Sequence, residues 1–208
     1  MSFGLVKHNN NSISAVTSVG LTQGKMTLIK EQTASSSSSI SFVDGSSSVV
    51  LDNTYPIYVF KYINIHPATD SVYFNVNFST DSGSNYNVTK TTTIFIGFHK
   101  EDDSTAVLQY QTGDDLAQST SDAKLSVLVG NGNDESTSGE LILFNPSSTT
   151  FMKHFISKSN DYERNNASSN TFASGYGNTT SAIDGVRFKM SSGNIDSGTI
   201  KLYGIKGS

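Results

Sequence analysis

Val72-Tyr73-Phe74-Asn75-Val76-Asn77-Phe78-Ser79 is the stretch of this sequence that decides the fold class. One of its faces is wholly apolar and the other is mostly polar, which is the pattern of a β-strand with one side in a core and the other in water. Two further runs of alternating residues lie in the segment 57–98, and clusters of Pro, Asp, Gly and Asn separate the runs. The whole segment therefore predicts antiparallel β-structure.

Strand-like patterns recur along most of the chain at spacings of about 8–12 residues. Besides 72–79, we predict strands at 26–30, 40–43, 49–51, 57–65, 92–98, 123–129, 141–144, 151–156, 186–190 and 200–203. The fragment 172–176 is a weak strand candidate because it is rich in Gly and Ser, and 114–122 has room for a short helical turn. About ten strands with hardly any helical period predict an all-β fold, an antiparallel β-sandwich of jelly-roll-like architecture.

The length of 208 residues and 22.3 kDa suits one domain that carries an extended arm. Residues 1–24 are small, polar and weakly periodic, and they include Asn9-Asn10-Asn11. We therefore expect an N-terminal arm at 1–24 and a β-sandwich body at 25–208. An arm of this composition has little to form a core of its own, so we expect it to anchor the chain to a neighbouring subunit or to its own body.

Composition excludes several classes of partner. Only 15% of the residues are charged and the net charge is −4, so no basic field is available to attract phosphates. We expect no nucleic acid partner and no membrane partner. The chain has no cysteine, which excludes disulfide stabilisation. It has no apolar run of about 18 residues, and we expect neither a signal peptide nor a membrane anchor.

Residues that could carry chemistry are scattered. The histidines at positions 8, 66, 99 and 154 form no metal-binding pair, and a structural role is favoured for them. The acidic clusters at 101–103, 114–115 and 131–135 lack the spacing of a calcium loop. No Gly-x-Ser-x-Gly elbow and no thiol nucleophile occur. We therefore predict no catalytic residue, no metal site and no cofactor.

We assign four aromatic residues to loops that are rich in Ser, Gly and Asn: Tyr86, Tyr162, Phe172 and Tyr176. Such a mixture of residues is common in adaptable recognition surfaces, where it would contact a glycan or a protein. Aromatic side chains also anchor loops to the edge of a sandwich, and this second interpretation is favoured.

Seven phrases of the sequence carry a resemblance to a known protein family. They are Ile63-Asn64-Ile65-His66-Pro67-Ala68-Thr69-Asp70-Ser71-Val72, Asn75-Val76-Asn77-Phe78-Ser79, Asn85-Tyr86-Asn87-Val88-Thr89-Lys90, Gly139-Glu140-Leu141, Asn145-Pro146-Ser147-Ser148-Thr149-Thr150-Phe151, Phe188-Lys189-Met190-Ser191-Ser192-Gly193-Asn194-Ile195 and Gly198-Thr199-Ile200-Lys201-Leu202-Tyr203-Gly204. On these phrases, which together cover most of residues 40–205, the chain resembles a family of virion structural proteins encoded by marine tailed phages.

The resemblance implies a virion protein with a jelly-roll-like body and no catalytic motif. Our leading hypothesis is a non-enzymatic capsid decoration or cement protein that is made in the host cytoplasm and binds the major capsid protein or other virion proteins. The alternative is a tail-fibre or receptor-binding module that recognises a host surface glycan. By analogy with such proteins we expect a homo-oligomer, with a trimer preferred. A capsule-degrading enzyme is the third hypothesis, and no motif favours it.

Overall fold

The computed structural model describes residues 26–206, so the predicted arm at 1–24 lies outside the described residues. Regular structure within 26–206 consists of twelve β-strands without a helix. The strands are β1 (Met26–Thr33), β2 (Ile40–Val43), β3 (Ile57–Pro67), β4 (Phe74–Ser79), β5 (Lys90–Lys100), β6 (Ala106–Tyr110), β7 (Ala123–Lys124), β8 (Thr137–Phe144), β9 (Lys153–Glu163), β10 (Ala167–Gly177), β11 (Gly185–Met190) and β12 (Ile195–Ile205).

The strands form two antiparallel sheets that pack face to face, and the predicted β-sandwich is confirmed. The large sheet has eight strands in the order β1-β12-β3-β8-β9-β10-β5-β6, and the small sheet has four in the order β2-β11-β4-β7. The chain passes between the sheets from β2 to β3, from β3 to β4 and from β4 to β5. Such repeated crossing, with β2, β11, β4 and β7 in one layer, is the strand arrangement of a jelly roll.

Most predicted strands are present, and the differences are informative. Strand β6 was not predicted, while 49–51 is buried irregular chain instead of a strand. The weak candidate 172–176 lies inside the long strand β10. The proposed helical turn at 114–122 is wrong, because this segment consists of turns and bends. Only the first two residues of 123–129 belong to a strand, β7.

Aromatic side chains join the two sheets at the centre of the sandwich. Phe188 of β11 lies 5.3 Å from Phe60 of β3 and 5.7 Å from Phe74 of β4, measured between ring centroids. Phe42 of β2 and Tyr62 of β3 extend this cluster. All five rings are at most 1% exposed. Tilted and edge-to-face aromatic pairs add to the free energy of burying apolar area, so this cluster is a central contact between the layers.

The polar face of β4 departs from expectation. The alternation of 72–79 predicted that this face would lie in water, but Asn75, Asn77 and Ser79 are buried. The Asn77 side-chain amide donates to the Thr120 carbonyl at 3.0 Å and to Asp122 Oδ1 at 2.8 Å. The segment before β7 therefore covers the outer face of β4 and supplies hydrogen bonds that replace water.

Replacing Phe188 with alanine is expected to destabilise the sandwich strongly. The substitution removes the ring that touches β2, β3 and β4 and leaves a cavity between the sheets. We expect the free energy of unfolding to fall by about 3–5 kcal/mol, as for other buried Phe→Ala changes. Urea unfolding measures this loss of free energy.

The matched control is Phe151→Ala, since Phe151 is 69% exposed. We expect this change to alter the free energy of unfolding by about 0.5 kcal/mol or less. Equal losses in the two variants would contradict the assignment of Phe188 to the centre of the core.

Candidate functional site

The outer face of the large sheet carries a single row of side chains that crosses all eight strands. Strand register places the row in the order Glu31, Lys201, Lys61, Glu140, Lys158, Phe172, Phe95, Tyr110. Five charged residues therefore stand beside three aromatic ones. Directly opposed side chains on neighbouring strands interact, so this row is a continuous ladder of contacts.

The aromatic end of the row is closely packed. The rings of Phe95 and Phe172 stack with centroids 5.0 Å apart and planes 10° from parallel. The Lys158 ammonium lies 5.3 Å from the Phe172 ring centroid, within the range of a cation–π contact. Tyr110 is the register neighbour of Phe95, and its hydroxyl donates to Asp115 Oδ2 at 2.6 Å. Phe172 has Phe95 on one side and Lys158 on the other, which leaves little ring face for a ligand.

The charged end consists of ion pairs between neighbouring strands. Lys61 Nζ lies 3.1 Å from Glu140 Oε2, and Lys201 Nζ lies 3.0 Å from Glu31 Oε2. The hydrogen bond to Glu31 raises the pKa of Lys201. All four side chains are partly exposed, so solvent screens both ion pairs and each adds little to stability.

Apolar side chains cover the outer face next to the charged end of this row. We call this region the outer apolar surface, and its members lie on β1, β12, β3, β8 and β9: Met26, Leu28, Ile57, Val59, Ile142, Phe144, Ile156, Tyr203 and Ile205. Leu28 and Ile156 are each 50% exposed. Met26 is 41% exposed, whereas Val59 in the middle of the region is only 2% exposed, so the exposed apolar area is concentrated on β1 and β9. Exposed apolar patches on a folded chain mark interaction sites more often than chance.

A shallow groove of about 300 Å³ lies in the polar part of the outer face. Lys61, Glu140 and Lys158 line it from the row, and Asn160 and Asn170 line it from the next register level. The Asn160 amide already donates to Ser168 Oγ at 3.0 Å. The groove has the donors and acceptors of a sugar site, and beside it Phe172 is packed between Phe95 and Lys158.

The three described histidines lie far apart in the fold and have different partners. His66 Nδ1 lies 2.6 Å from the Glu135 carbonyl oxygen at the end of β3. His99 Nε2 lies 2.9 Å from Asp103 Oδ1 in the turn after β5. His154 is exposed on β9, with its ring centroid 6.3 Å from that of Tyr176. His8 lies outside the described residues.

The acidic clusters are held by local contacts. Asp114 pairs with Lys124, and Asp115 accepts from Tyr110. Glu135 accepts from the Gly132 backbone amide. Across residues 26–206, no three His, Asp or Glu side chains converge in a way that would hold a metal ion.

A buried polar cluster lies on the inner face of the large sheet, where the segment after β7 covers β8, β9 and β10. Asp161 is 1% exposed, and it accepts hydrogen bonds from the Thr137 hydroxyl, from the Val127 amide at 3.3 Å and from the Thr171 hydroxyl at 3.3 Å. Burial raises the pKa of Asp161 to about 7, although the hydrogen bonds oppose the shift. The carboxyl group thus changes charge near neutral pH inside the sandwich.

A second polar cluster covers the outer face of the small sheet. Lys90 is fully buried, and its ammonium donates to Asn77 Oδ1 and to the Val88 carbonyl, each at 2.6 Å. Burial lowers the pKa of Lys90 to about 8, and nearby Asp122 opposes that shift. Arg187 donates to Asp122 Oδ1 at 3.2 Å. These contacts hold the segment before β7 onto the sheet, so the cluster has a structural role.

The aromatic residues assigned to loops are mostly elsewhere. Phe172 and Tyr176 belong to β10, and Tyr162 belongs to β9. Tyr86 alone of the four is in a loop, where the Arg187 guanidinium lies 4.6 Å from its ring centroid. The sequence missed the outer apolar surface, because its members come from five strands and no local pattern connects them.

Comparison with known proteins finds no significant match. Neither a protein-family model, nor a curated protein, nor a solved structure matches this chain significantly. In the part of the chain that the structure describes, there is no helix with the length and apolarity that a membrane crossing demands.

The buried Asp161 carboxyl should make stability depend on pH. Its pKa rises from 3.8 to about 7 on folding, so the folded state binds the proton more tightly. The stabilising contribution is complete below about pH 4 and is lost as the pH rises through about 7. We expect the free energy of unfolding to be lower at about pH 8 than at about pH 5, and Asp161→Asn to remove most of this difference.

Urea unfolding at both pH values measures the effect. The control is Asp134→Asn, an exposed loop position that should keep the pH dependence of the unmodified chain. An Asp161→Asn variant with the same pH dependence as the control would refute the role of the buried carboxyl.

Proposed function

We propose that this protein is a non-enzymatic structural protein of a phage virion, a capsid decoration protein that binds the major capsid protein and stabilises the head. It would be made in the host cytoplasm and act on the surface of the particle. Two observations support this function: the resemblance of residues 40–205 to marine tailed-phage virion proteins, and the outer apolar surface of the large sheet.

The outer apolar surface is the observation that carries the proposal. Leu28 and Ile156 lie at its two ends, on β1 and β9, and both are half exposed. A decoration protein needs a broad, preformed contact area, because many weak identical contacts on one particle add up through multivalency. The exposed side chains of Met26 and Leu28 on β1 and of Ile156 on β9 supply apolar contact area on a rigid sheet face, without a change of backbone conformation.

Shell binding by the purified protein tests the proposal. We expect the protein to bind phage shells from which it has been stripped, and Ile156→Lys to weaken binding at least about tenfold, because a lysine would be desolvated in the contact. The variant should fold normally, since Ile156 is half exposed. Cosedimentation with the shells measures binding.

The matched control is Ser168→Lys, which adds the same charge at an exposed position on β10, away from the outer apolar surface. We expect it to bind shells like the unmodified protein. Failure of the unmodified protein to bind shells, together with its detection only on tails of intact particles, would overturn the decoration function.

The second candidate function is a tail-fibre or receptor-binding module for a host glycan. The groove lined by Asn160, Asn170 and Glu140 favours it, since amide and carboxylate groups recognise sugar hydroxyls. Glycan-array binding that is lost in Asn170→Ala would support this function over decoration. The predicted homo-oligomer, with its preferred three-fold symmetry, remains a prediction in both cases.

A further inference from the structure

Strand β6 lies at one edge of the large sheet, and both of its faces are exposed. Its five residues, Ala106–Tyr110, are all exposed, and Leu108 is 77% exposed. It pairs with β5 on one side, and within residues 26–206 no strand lies on its other side. The segment is apolar apart from Gln109, and it contains no charged residue and no proline. An edge of this kind is a template for another strand.

The hydrogen bonds of β5 identify which backbone groups of β6 are free. The Gln111 amide donates to the Ile94 carbonyl, and the Lys100 amide donates to the Thr105 carbonyl. In an antiparallel ladder such bonded pairs alternate with unbonded pairs. The residues that point their amide and carbonyl groups away from β5 are therefore Ala106, Leu108 and Tyr110.

The other three sheet edges are protected. Strand β1 has a bulge between Leu28 and Lys30 and carries the charged pair Lys30 and Glu31. In the small sheet, β2 has four residues and β7 has two. Short strands, charges and bulges are the usual devices that prevent edge pairing. Strand β6 has neither a bulge nor a charged residue, and with five residues it is longer than β2 and β7.

We infer that β6 is the binding surface for a second copy of this chain. The two β6 strands pair antiparallel across a two-fold axis at Leu108, and they join two eight-stranded sheets edge to edge. In this register Leu108 faces Leu108 of the other copy, and Ala106 faces Tyr110. Each of these pairs exchanges two backbone hydrogen bonds, so every free amide and carbonyl of the edge is satisfied.

The side chains of β6 suit self-pairing. On the outer face, Tyr110 is matched with the small Ala106 of the other copy, and the Leu108 pair lies between them. Phe95, next to Tyr110 in register, continues this apolar contact into each sheet. A charged residue at the axis would meet its own copy and be repelled, and the segment has none.

The flanks of the contact predict its response to salt. The turn after β5 carries Asp102 and Asp103, and in the paired register it faces the segment with Asp114 and Asp115 of the other copy. Lys124 neutralises Asp114, but Asp102, Asp103 and Asp115 leave an excess of negative charge on both sides, and added salt screens their repulsion. Association through β6 should therefore strengthen as ionic strength rises, which is the opposite of an association through ion pairs.

This contact does not depend on the proposed virion function, and the isolated full-length protein is sufficient to test it. The smallest closed assembly that combines the two-fold contact with the expected three-fold association is a hexamer of dihedral symmetry. The mass of the particle in solution should therefore correspond to an even number of chains.

The first experiment removes one inter-copy donor. Leu108→Pro deletes an amide that points away from β5, so the strand keeps its own ladder, and proline is tolerated at such edge positions. Leu108→Lys places a charge at the axis. We expect both variants to weaken self-association at least about tenfold in sedimentation equilibrium, with unchanged thermal unfolding. Phe151→Lys, at an exposed site outside β6, should associate like the unmodified chain.

The second experiment tests the register, using the absence of natural cysteines. Leu108→Cys places two thiols opposite each other at a Cα separation of about 5.5 Å, which permits a disulfide. Under mild oxidation we expect a covalent dimer. In Gln109→Cys the two thiols are not opposed, because residue 109 faces residue 107, and we expect far less cross-linking.

Three results would overturn the inference. The first is that the unmodified chain is only a monomer or only a trimer at tens of micromolar. The second is that Leu108→Pro and Leu108→Lys both associate as strongly as the unmodified chain. The third is that the Leu108→Cys and Gln109→Cys variants cross-link equally. A dimer or hexamer that depends on Leu108 and cross-links through position 108 would support it.

Discussion

The rest of the structure depends on the aromatic contact that holds a four-stranded sheet against an eight-stranded one. Phe188 and its neighbours seal the part of the large sheet that the small sheet covers. The remaining strands of the large sheet extend beyond this contact, and their inner faces carry Ser157, Asp161 and Thr171. Unequal sheet widths therefore produce both the apolar centre and the buried polar region, where each acceptor needs a hydrogen bond from the chain.

The sequence predicts a strand well when exactly one of its faces is buried, and this explains its failures. Strand β6 has two exposed faces, so it shows no alternation and was missed. Strand β4 alternates, yet a remote segment around Asp122 covers its polar face. Strand β10 resembles a loop because its small residues are required by packing: a Cβ at Gly175 would lie 2.5 Å from the Thr91 carbonyl oxygen.

The outer row and the outer apolar surface could not be predicted from the sequence for a different reason. The outer row joins Glu31 to Tyr110 through six other strands that come from distant parts of the chain. A shift of one residue in any of these pairings would move that strand's contribution to the inner face. Composition did anticipate the nature of the surface, since a chain with 15% charged residues must expose hydroxyl, amide and apolar groups instead.

The asymmetry between the two margins of the large sheet limits how far any association can grow. A partner that pairs with β6 occupies one margin of the large sheet, and within residues 26–206 the far margin is β1, whose bulge and charges disfavour further pairing. Assembly along the sheet therefore terminates after one addition instead of propagating into an open-ended polymer. The bulge between Leu28 and Lys30 therefore protects the β1 edge against amyloid-like addition of further strands.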